Sequence, residues 1–315
     1  MGTEPRVTVG VPCFNCAGRV EATVQQILAN DFDDFELILA EGGSRDTSAD
    51  VVRGLADGAP RVRALTGLPA SVTVKRNAIL AEAKGRLLVF LDDDCTPTKG
   101  LIGAYAAIAE SWPGLMTGPV LAPAGSDLNL CLAPRAEPAV WQPGFWSKAL
   151  PWRSGGGGNF ACPAELARAA GGWDERLGPG APAGINSADD TDFSLRVLRH
   201  GVGIRYVPEA VVYHPPAPDW AAFLRRHREY ARTLILLMRL KYSRTAHGWA
   251  TVLIGLGYWT AMLGVDALRL RRDGLRVNWA RLKGGLRGLF GRLPAAFRRS
   301  GARGDESPAN ASPPV

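Results

Sequence analysis

The chain carries no G-x-G-x-x-G turn after its first β-rich segment, and that lack argues against a dinucleotide cofactor. Cysteine is sparse: five in 315 residues, an odd number at scattered positions, as expected of a reducing compartment. Cys13 and Cys16 do form a C-x-x-C. No second pair completes a zinc site, so both read as small buried residues, with a redox or metal role the minor alternative. The N-terminus has no basic segment leading into an apolar one, and secretion is not expected. The charge-free run 249–265 has 17 residues, just short of the ~20 that a spanning helix needs.

What is present is an ordinary folded composition, 46% hydrophobic and 21% charged, long enough for one large α/β domain with an appendage. Net charge is +7 and polarised. From Trp220 onward there are 18 Lys and Arg against 5 Asp and Glu, whereas residues 1–219 hold 19 against 25. Such asymmetry marks a basic region that meets something anionic. Its apolar content points to a membrane surface rather than to nucleic acid. Arg239, Lys241 and Arg244 precede the charge-free run, and Arg269, Arg271 and Arg272 follow it. A spanning helix shows basic bias on one side, so this run reads as lying in or dipping into the interface, with a span left open. Residues 275–297 read as a basic amphipathic helix with affinity for anionic lipid. The alternative is two or three helices packed on the main domain or on a second subunit, as in a homo-oligomer. Pro215, Pro216 and Pro218 break the chain. The expected division is a domain over 1–216, a helical extension over 217–299 and a disordered tail over 300–315.

The first 120 residues alternate strand and helix. Strands are expected at 6–11, 35–40, 62–65, 87–91 and 115–120. Helices are expected at 17–29, from near Asp46 with Ser44 as its cap, at 72–83 and at 101–111. That order implies a Rossmann-like, mostly parallel sheet with right-handed crossovers. Helices at 162–170, 189–200 and 220–242 and strands at 203–207 and 211–214 complete the reading. Residues 122–158 are rich in Pro, Gly and Trp, including Trp141, Trp146 and Trp152. A long irregular stretch in a compact domain is functional or disordered, and the tryptophans argue against disorder. Residues 155–158 are four glycines, which permit close approach to a ligand, a hinge or a flexible loop.

The chemistry centres on residues 87–94. Five apolar residues are followed at once by Asp92, Asp93 and Asp94. The run reads as a strand buried on both faces, and the carboxylates fall where open α/β sheets bind ligands. Side chains alternate along a strand, so Asp92 and Asp94 can point the same way and hold a hard cation such as Mg²⁺ or Mn²⁺. The plainer reading is a solvated acidic turn. A second acidic cluster, Asp189-Asp190-Thr191-Asp192, opens a helix, where negative charge also suits the helix dipole.

Taken in order, these pieces resemble the family 2 inverting glycosyltransferases of GT-A fold. Val7 to Asn15 resembles the family's opening strand and Pro-x-Tyr-Asn turn. Leu37 to Asp46 resembles the strand and acidic-Gly-Ser turn that cups the nucleobase. Lys75-Arg76-Asn77-Ala78 resembles the Arg-Asn-Ala before the metal strand, and Leu91 to Asp94 the Asp-x-Asp motif. Gly171 to Glu175 resembles Gly-Gly-Phe-Asp-Glu, Asp189 to Asp192 the Glu-Asp-x-Asp acceptor-side motif, and Pro208 to His214 the terminal Pro-Glu…His. The resemblance covers 6–214, about two-thirds of the chain.

It implies a nucleotide-sugar donor, a glycan or lipid-linked acceptor, and a divalent metal (Mn²⁺ or Mg²⁺) held by Asp92, Asp94 and His214. The implied base is Asp190, with Asp189 next. The implied donor contacts are Pro12, Asn15, Glu41, Gly43, Ser44, Arg76, Asn77, Asp92 and Asp93. Arg76 reaches the diphosphate or a carboxylate, Asn77 fixes a loop, and Asp93 serves the sugar or the loop. Trp152, Gly157, Gly158, Asn159 and Trp173 are candidates for the acceptor, with core anchoring the alternative for the tryptophans. The implied place of action is the cytoplasmic face of the cell membrane. Two positions depart from the pattern: Glu41-Gly42 stands for Asp-Asp, and Asp189 for Glu. Two rival readings remain. Asp92 to Thr96 also fits the Asp-x-Asp-x-Thr loop of haloacid-dehalogenase-like phosphatases, although that loop usually follows the first strand. A non-catalytic binding protein with a degenerate pocket is the other.

Overall fold

A computed structural model describes residues 4–123, 135–153 and 156–298. The expected tail and Gly155 lie outside them. β1 (Val7–Cys13), α1 (Val20–Leu28), β2 (Phe35–Glu41), α2 (Ser48–Asp57), β3 (Val62–Leu65), α3 (Val72–Glu82) and β4 (Leu87–Leu91) form the alternating first part. Then come β5 (Thr96–Pro97), α4 (Leu101–Ala109), β6 (Leu115–Thr117), β7 (Val120–Leu121), β8 (Ala139–Trp141) and α5 (Phe145–Ala149). A 3-10 turn at Pro151–Arg153 leads to β9 (Asn159–Pro163), α6 (Ala164–Ala169), α7 (Asp189–Arg199), β10 (Ile204–Tyr206) and β11 (Val212–Tyr213). The basic region is α8 (Trp220–Lys241), α9 (Ala246–Leu268), α10 (Arg272–Phe290) and α11 (Ala295–Arg298).

The strands are ordered β3-β2-β1-β4-β9-β6-β10-β8, with β5-β11-β7 as a separate small sheet. The large sheet is mainly parallel. Alternation sorts its side chains onto two faces. Val9, Val11, Leu37, Leu39, Val89 and Leu91 pack with Val24 and Ile27 of α1 and with Tyr105 of α4. Ile38, Ala40, Leu88 and Phe90 face Ile79 of α3, Trp173 and Phe193. Both layers are apolar, which is why β1, β2 and β4 are buried throughout.

Two local expectations need correction. Residues 159–163 form a strand, β9, lying antiparallel between β4 and β6, and the helix expected from 162 starts at Ala164. Helix α2 starts at Ser48, and Ser44 does not cap it. The Asp46 carboxylate accepts from the Ser48 N–H, while the Ser44 hydroxyl accepts from the Asn15 N–H.

Helices α8, α9 and α10 pack on one another through glycine. A Cβ on Gly284 would lie 2.0 Å from the Arg228 carbonyl oxygen, and one on Gly288 would lie 2.4 Å from that of Arg232. The two helices therefore meet backbone to backbone. Gly285 leaves the space that Trp259 of α9 fills. Asp192 of α7 fastens this bundle to the sheet domain: Lys241 lies 2.7 Å away and the Tyr242 hydroxyl donates at 3.0 Å. α9 is 23 residues long and holds an 18-residue stretch of mean hydropathy 1.4, enough by length and composition to cross a membrane.

Candidate active site

Strands β1, β2 and β4 end side by side, so the loops after them meet at one edge of the sheet. Asp92 and Asp94 are half-buried there. Ligand atoms of Asp92, Asp94 and Cys95 all fall within 4.8 Å of one another. Burial pushes the Asp92 carboxyl up to about 6, and the neighbouring Arg76 and His214 pull the other way. The small sheet brings His214 in, because β11 pairs with β5 directly after the three aspartates. His214 Nδ1 is 2.6 Å from the Pro215 carbonyl oxygen. A carbonyl only accepts, so the proton sits on Nδ1 and Nε2 presents a lone pair. That Nε2 lies 3.4 Å from Asp94 Oδ1. Two acceptors facing each other this closely call for a cation or a proton between them. The carboxylate–imidazole set therefore fits a hard or borderline divalent metal. Burial holds the Cys95 thiol protonated, so it is a poor ligand.

The second acidic cluster faces the same place from the opposite direction. β9 pairs Asn159 with Leu91, so the glycines before Asn159 run beside Asp92. A Cβ on Gly158 would lie 2.9 Å from Asp92 Oδ2, and one on Gly157 would lie 3.3 Å from Asp190. Bare backbone thus separates the two clusters. Asp190 is half-buried and accepts from the Thr191 N–H. Burial, with the adjacent Asp189 charge, pushes its carboxyl up to about 6. Asp189 differs: Arg76 pairs with it at 2.5 Å, both side chains are buried, and Arg76 also donates to the Gly157 carbonyl. The Asp189 carboxylate is already occupied by a buried guanidinium, so the geometry favours Asp190 over Asp189 for meeting a hydroxyl.

A family profile described as "Glycosyltransferase like family 2" matches residues 5–233. The chain belongs to glycosyltransferase family 2. The chain is 23% identical to the "Probable glycosyltransferase YdaM" of Bacillus subtilis (strain 168) over 72% of its own length and 55% of that protein. It thus spans about half of that relative. It is 30% identical, over 29% of its length and 30% of the relative, to the "GalNAc(5)-diNAcBac-PP-undecaprenol beta-1,3-glucosyltransferase" of Campylobacter jejuni. In fold it is similar to the mannosyltransferase PcManGT from Pyrobaculum calidifontis, solved with GDP-Man and Mn²⁺. That likeness has a TM-score of 0.63 at 18% identity, over 91% of this chain and 88% of the other. S. aureus TarS with UDP-GlcNAc gives 0.55 at 14%, over 91% and 93%. The match sets aside the phosphatase reading, and Asp92 indeed follows the fourth strand rather than the first.

Several expected site residues have their partners within the fold. Asn77 fixes a loop, as expected. Its amide spans the Trp173 carbonyl and Glu175, and its oxygen accepts from the Trp173 N–H, which pins the Gly171–Glu175 turn. Trp173, expected at the acceptor, is buried and stacks on Phe193 at 4.3 Å. Asn159 is fully buried and donates to the Pro119 and Ala210 carbonyls. Both belong to the core. Trp152 remains partly exposed on its 3-10 turn. Asp93 turns away from Asp92 and Asp94: it accepts from the Phe14 N–H and from Arg19. Asn15 and Ser44 bond each other across the β1 and β2 loops, beside buried Pro12. Glu41 is buried and accepts from the Ser44 N–H. Gly42 has a steric cause, since a Cβ there would lie 1.9 Å from the Leu68 carbonyl oxygen. No second carboxylate fits. Gly43 has φ +70°, which glycine adopts without strain. Sequence reasoning passed over Lys75, whose buried amine donates to the Cys13 and Ala70 carbonyls and ties the β1 loop in place. Cys13 and Cys16 are buried near Asp93, but Arg19 already holds that carboxylate, which opposes a metal there.

Proposed function

We propose that this transferase moves a sugar, with inversion, from a nucleotide-sugar donor to a hydroxyl of a lipid-linked or envelope glycan, using Mn²⁺ or Mg²⁺. The observation that carries the reading is the meeting of Asp92, Asp94 and His214 with Asp190 across the Gly157–Gly158 backbone. Asp92, Asp94 and His214 would hold the metal, which when bound supplies positive charge to a departing diphosphate. Asn15, Glu41, Gly43 and Ser44 frame the nucleoside end. Asp190 takes the proton of the acceptor hydroxyl, and its raised carboxyl suits a base working near neutral pH. Arg76 acts through Asp189: it neutralises that carboxylate, so a single base faces the acceptor. Trp152, Gly157 and Gly158 line the acceptor side.

The lipid-linked acceptor is carried over from the Campylobacter relative's name. The exposed Trp249, Leu253 and Leu268 of α9 and the Trp279, Leu286 and Phe290 of α10, among basic residues, support attachment to the cytoplasmic face of an anionic membrane. The test is a thermal-shift panel of UDP-, GDP- and dTDP-sugars with and without Mn²⁺, followed by turnover with the sugar that shifts. One nucleotide class should stabilise the protein only with metal present. Stabilisation by none of them, or equally without metal, would refute the reading.

A further inference from the structure

Helices α9 and α10 turn different surfaces outward. No exposed residue of α9 carries charge. The exposed side of α10 interleaves cations with large apolar groups. Trp279, Lys283, Leu286, Arg287 and Phe290, with Gly291 just past the helix end, wall an open cavity of about 470 Å³. That volume suits a small-molecule site. Trp279, Leu286 and Phe290 are 58%, 41% and 78% exposed, so they form a patch rather than scattered single residues.

Lys283 and Arg287 are one turn apart and share a side of the helix. Arg271 and Arg276 have Asp266 and Asp273 nearby. Lys283 and Arg287 make no ion pair among the described residues, and no carboxylate lines the cavity. A helix C-terminus ordinarily repels an anion. Here Arg239 of α8 donates to the Gly288 and Gly291 carbonyls at 3.2 and 2.8 Å. The end of α10 is thereby covered with positive charge. Free cations beside an exposed apolar wall match a molecule that carries a phosphate and a hydrocarbon chain together. We propose that this cavity holds one anionic phospholipid of the bilayer, its phosphate between Lys283 and Arg287 and an acyl chain along Trp279, Leu286 and Phe290. Attachment to a charged surface asks only for net charge and apolar area, whereas this cavity makes a saturable site for a single lipid. The site rests on the membrane attachment proposed above and on no step of the sugar transfer.

The test is calorimetry on the full-length protein without metal or nucleotide. The probes are dihexanoyl phosphatidylglycerol below its micelle concentration, dihexanoyl phosphatidylcholine, inorganic phosphate and farnesyl phosphate. Wild type should bind one phosphatidylglycerol, at least roughly tenfold more tightly than any other probe. Lys283→Gln combined with Arg287→Gln should weaken it by at least roughly tenfold, and Phe290→Ala by roughly tenfold. All three positions are exposed, so the melting temperature should not move. Wild-type affinity in these variants, or equal affinity for phosphatidylcholine, would overturn the proposal. Binding to phosphatidylglycerol vesicles without binding to the short-chain lipid would do so too, since general surface attraction then suffices. Tighter binding of farnesyl phosphate gives the cavity to the acceptor instead. A dimer in sedimentation that Phe290→Ala dissolves gives it to a second copy. Because no metal or nucleotide is present, a failed metal–nucleotide shift sinks the transfer reading and leaves this result standing, and the reverse also holds.

Discussion

Asp92-Asp93-Asp94 and Asp189-Asp190-Thr191-Asp192 are alike on paper: each packs three carboxylates into a few positions. One follows a buried strand and the other opens a helix. Each divides its labour in the same way. Asp93 is buried and tied to Phe14 and Arg19, while Asp92 and Asp94 stay half-open. Asp192 is fully buried between Lys241, Tyr242 and Arg196, while Asp190 stays half-open with a raised carboxyl. Asp189 falls between these cases, paired inside the site. The difference lies in what the anchor holds. Asp93 anchors a loop of its own sheet edge, and Asp192 anchors a separate helical bundle. Crowded charge is tolerable because fixed cations neutralise Asp93 in one cluster and Asp189 and Asp192 in the other, which leaves Asp92, Asp94 and Asp190 half-open.

The comparison breaks first at Asp190. Asp190→Asn should lower kcat by about 10²- to 10⁴-fold with nucleotide binding nearly intact, read by steady-state turnover and calorimetry. Wild-type turnover in that variant sinks the division between base and anchor. Asp192→Ala should instead act on the fold, costing about 1–3 kcal/mol because Arg196 and the buried Tyr242 hydroxyl lose their acceptor. Urea denaturation measures this, and an unchanged midpoint removes the anchor role. In the first cluster, Asp92→Asn should abolish stabilisation by Mn²⁺ in a thermal shift, and Asp93→Asn should keep it. Equal loss in both would erase the distinction. The smallest effect is in pH. A base acts ionised, and a raised carboxyl takes its proton sooner as pH falls. kcat/KM should therefore drop about tenfold per unit below about pH 6. A flat profile between pH 5 and 7 removes Asp190 from the step.

Much of this was legible in the chain, for identifiable reasons. β3 and β4 have the expected bounds, because short apolar runs between turn residues leave little choice. The shared exposure of Asp92 and Asp94, with Asp93 buried between them, could be read from strand alternation alone. β9 was hidden, since four glycines before it look like a loop and Asn159 looks like a ligand. Only the fold shows its amide bridging Pro119 and Ala210. Trp173 took its core alternative, while Asn77 holds a loop and Arg76 a carboxylate as expected, although neither partner could be named. A motif residue conserves its neighbourhood as readily as it touches a substrate, and partners 96 or 113 positions away leave no trace in local sequence.

The glycine seam between α8 and α10 has a mechanical consequence. Ordinary helix pairs meet through side chains that can swing and absorb strain. Here the peptide planes touch at Gly284 and Gly288, so the pair has almost no slack and behaves as one stiff lever. A load on the outer face of α10, at Trp279 or Phe290, passes to α8 with little loss. From there it reaches the Thr233–Ser187 contact, beside the turn that carries Asp190. Whatever α10 rests on thus shares the alignment of Asp190, and stiffness here is a property of missing side chains rather than of added ones.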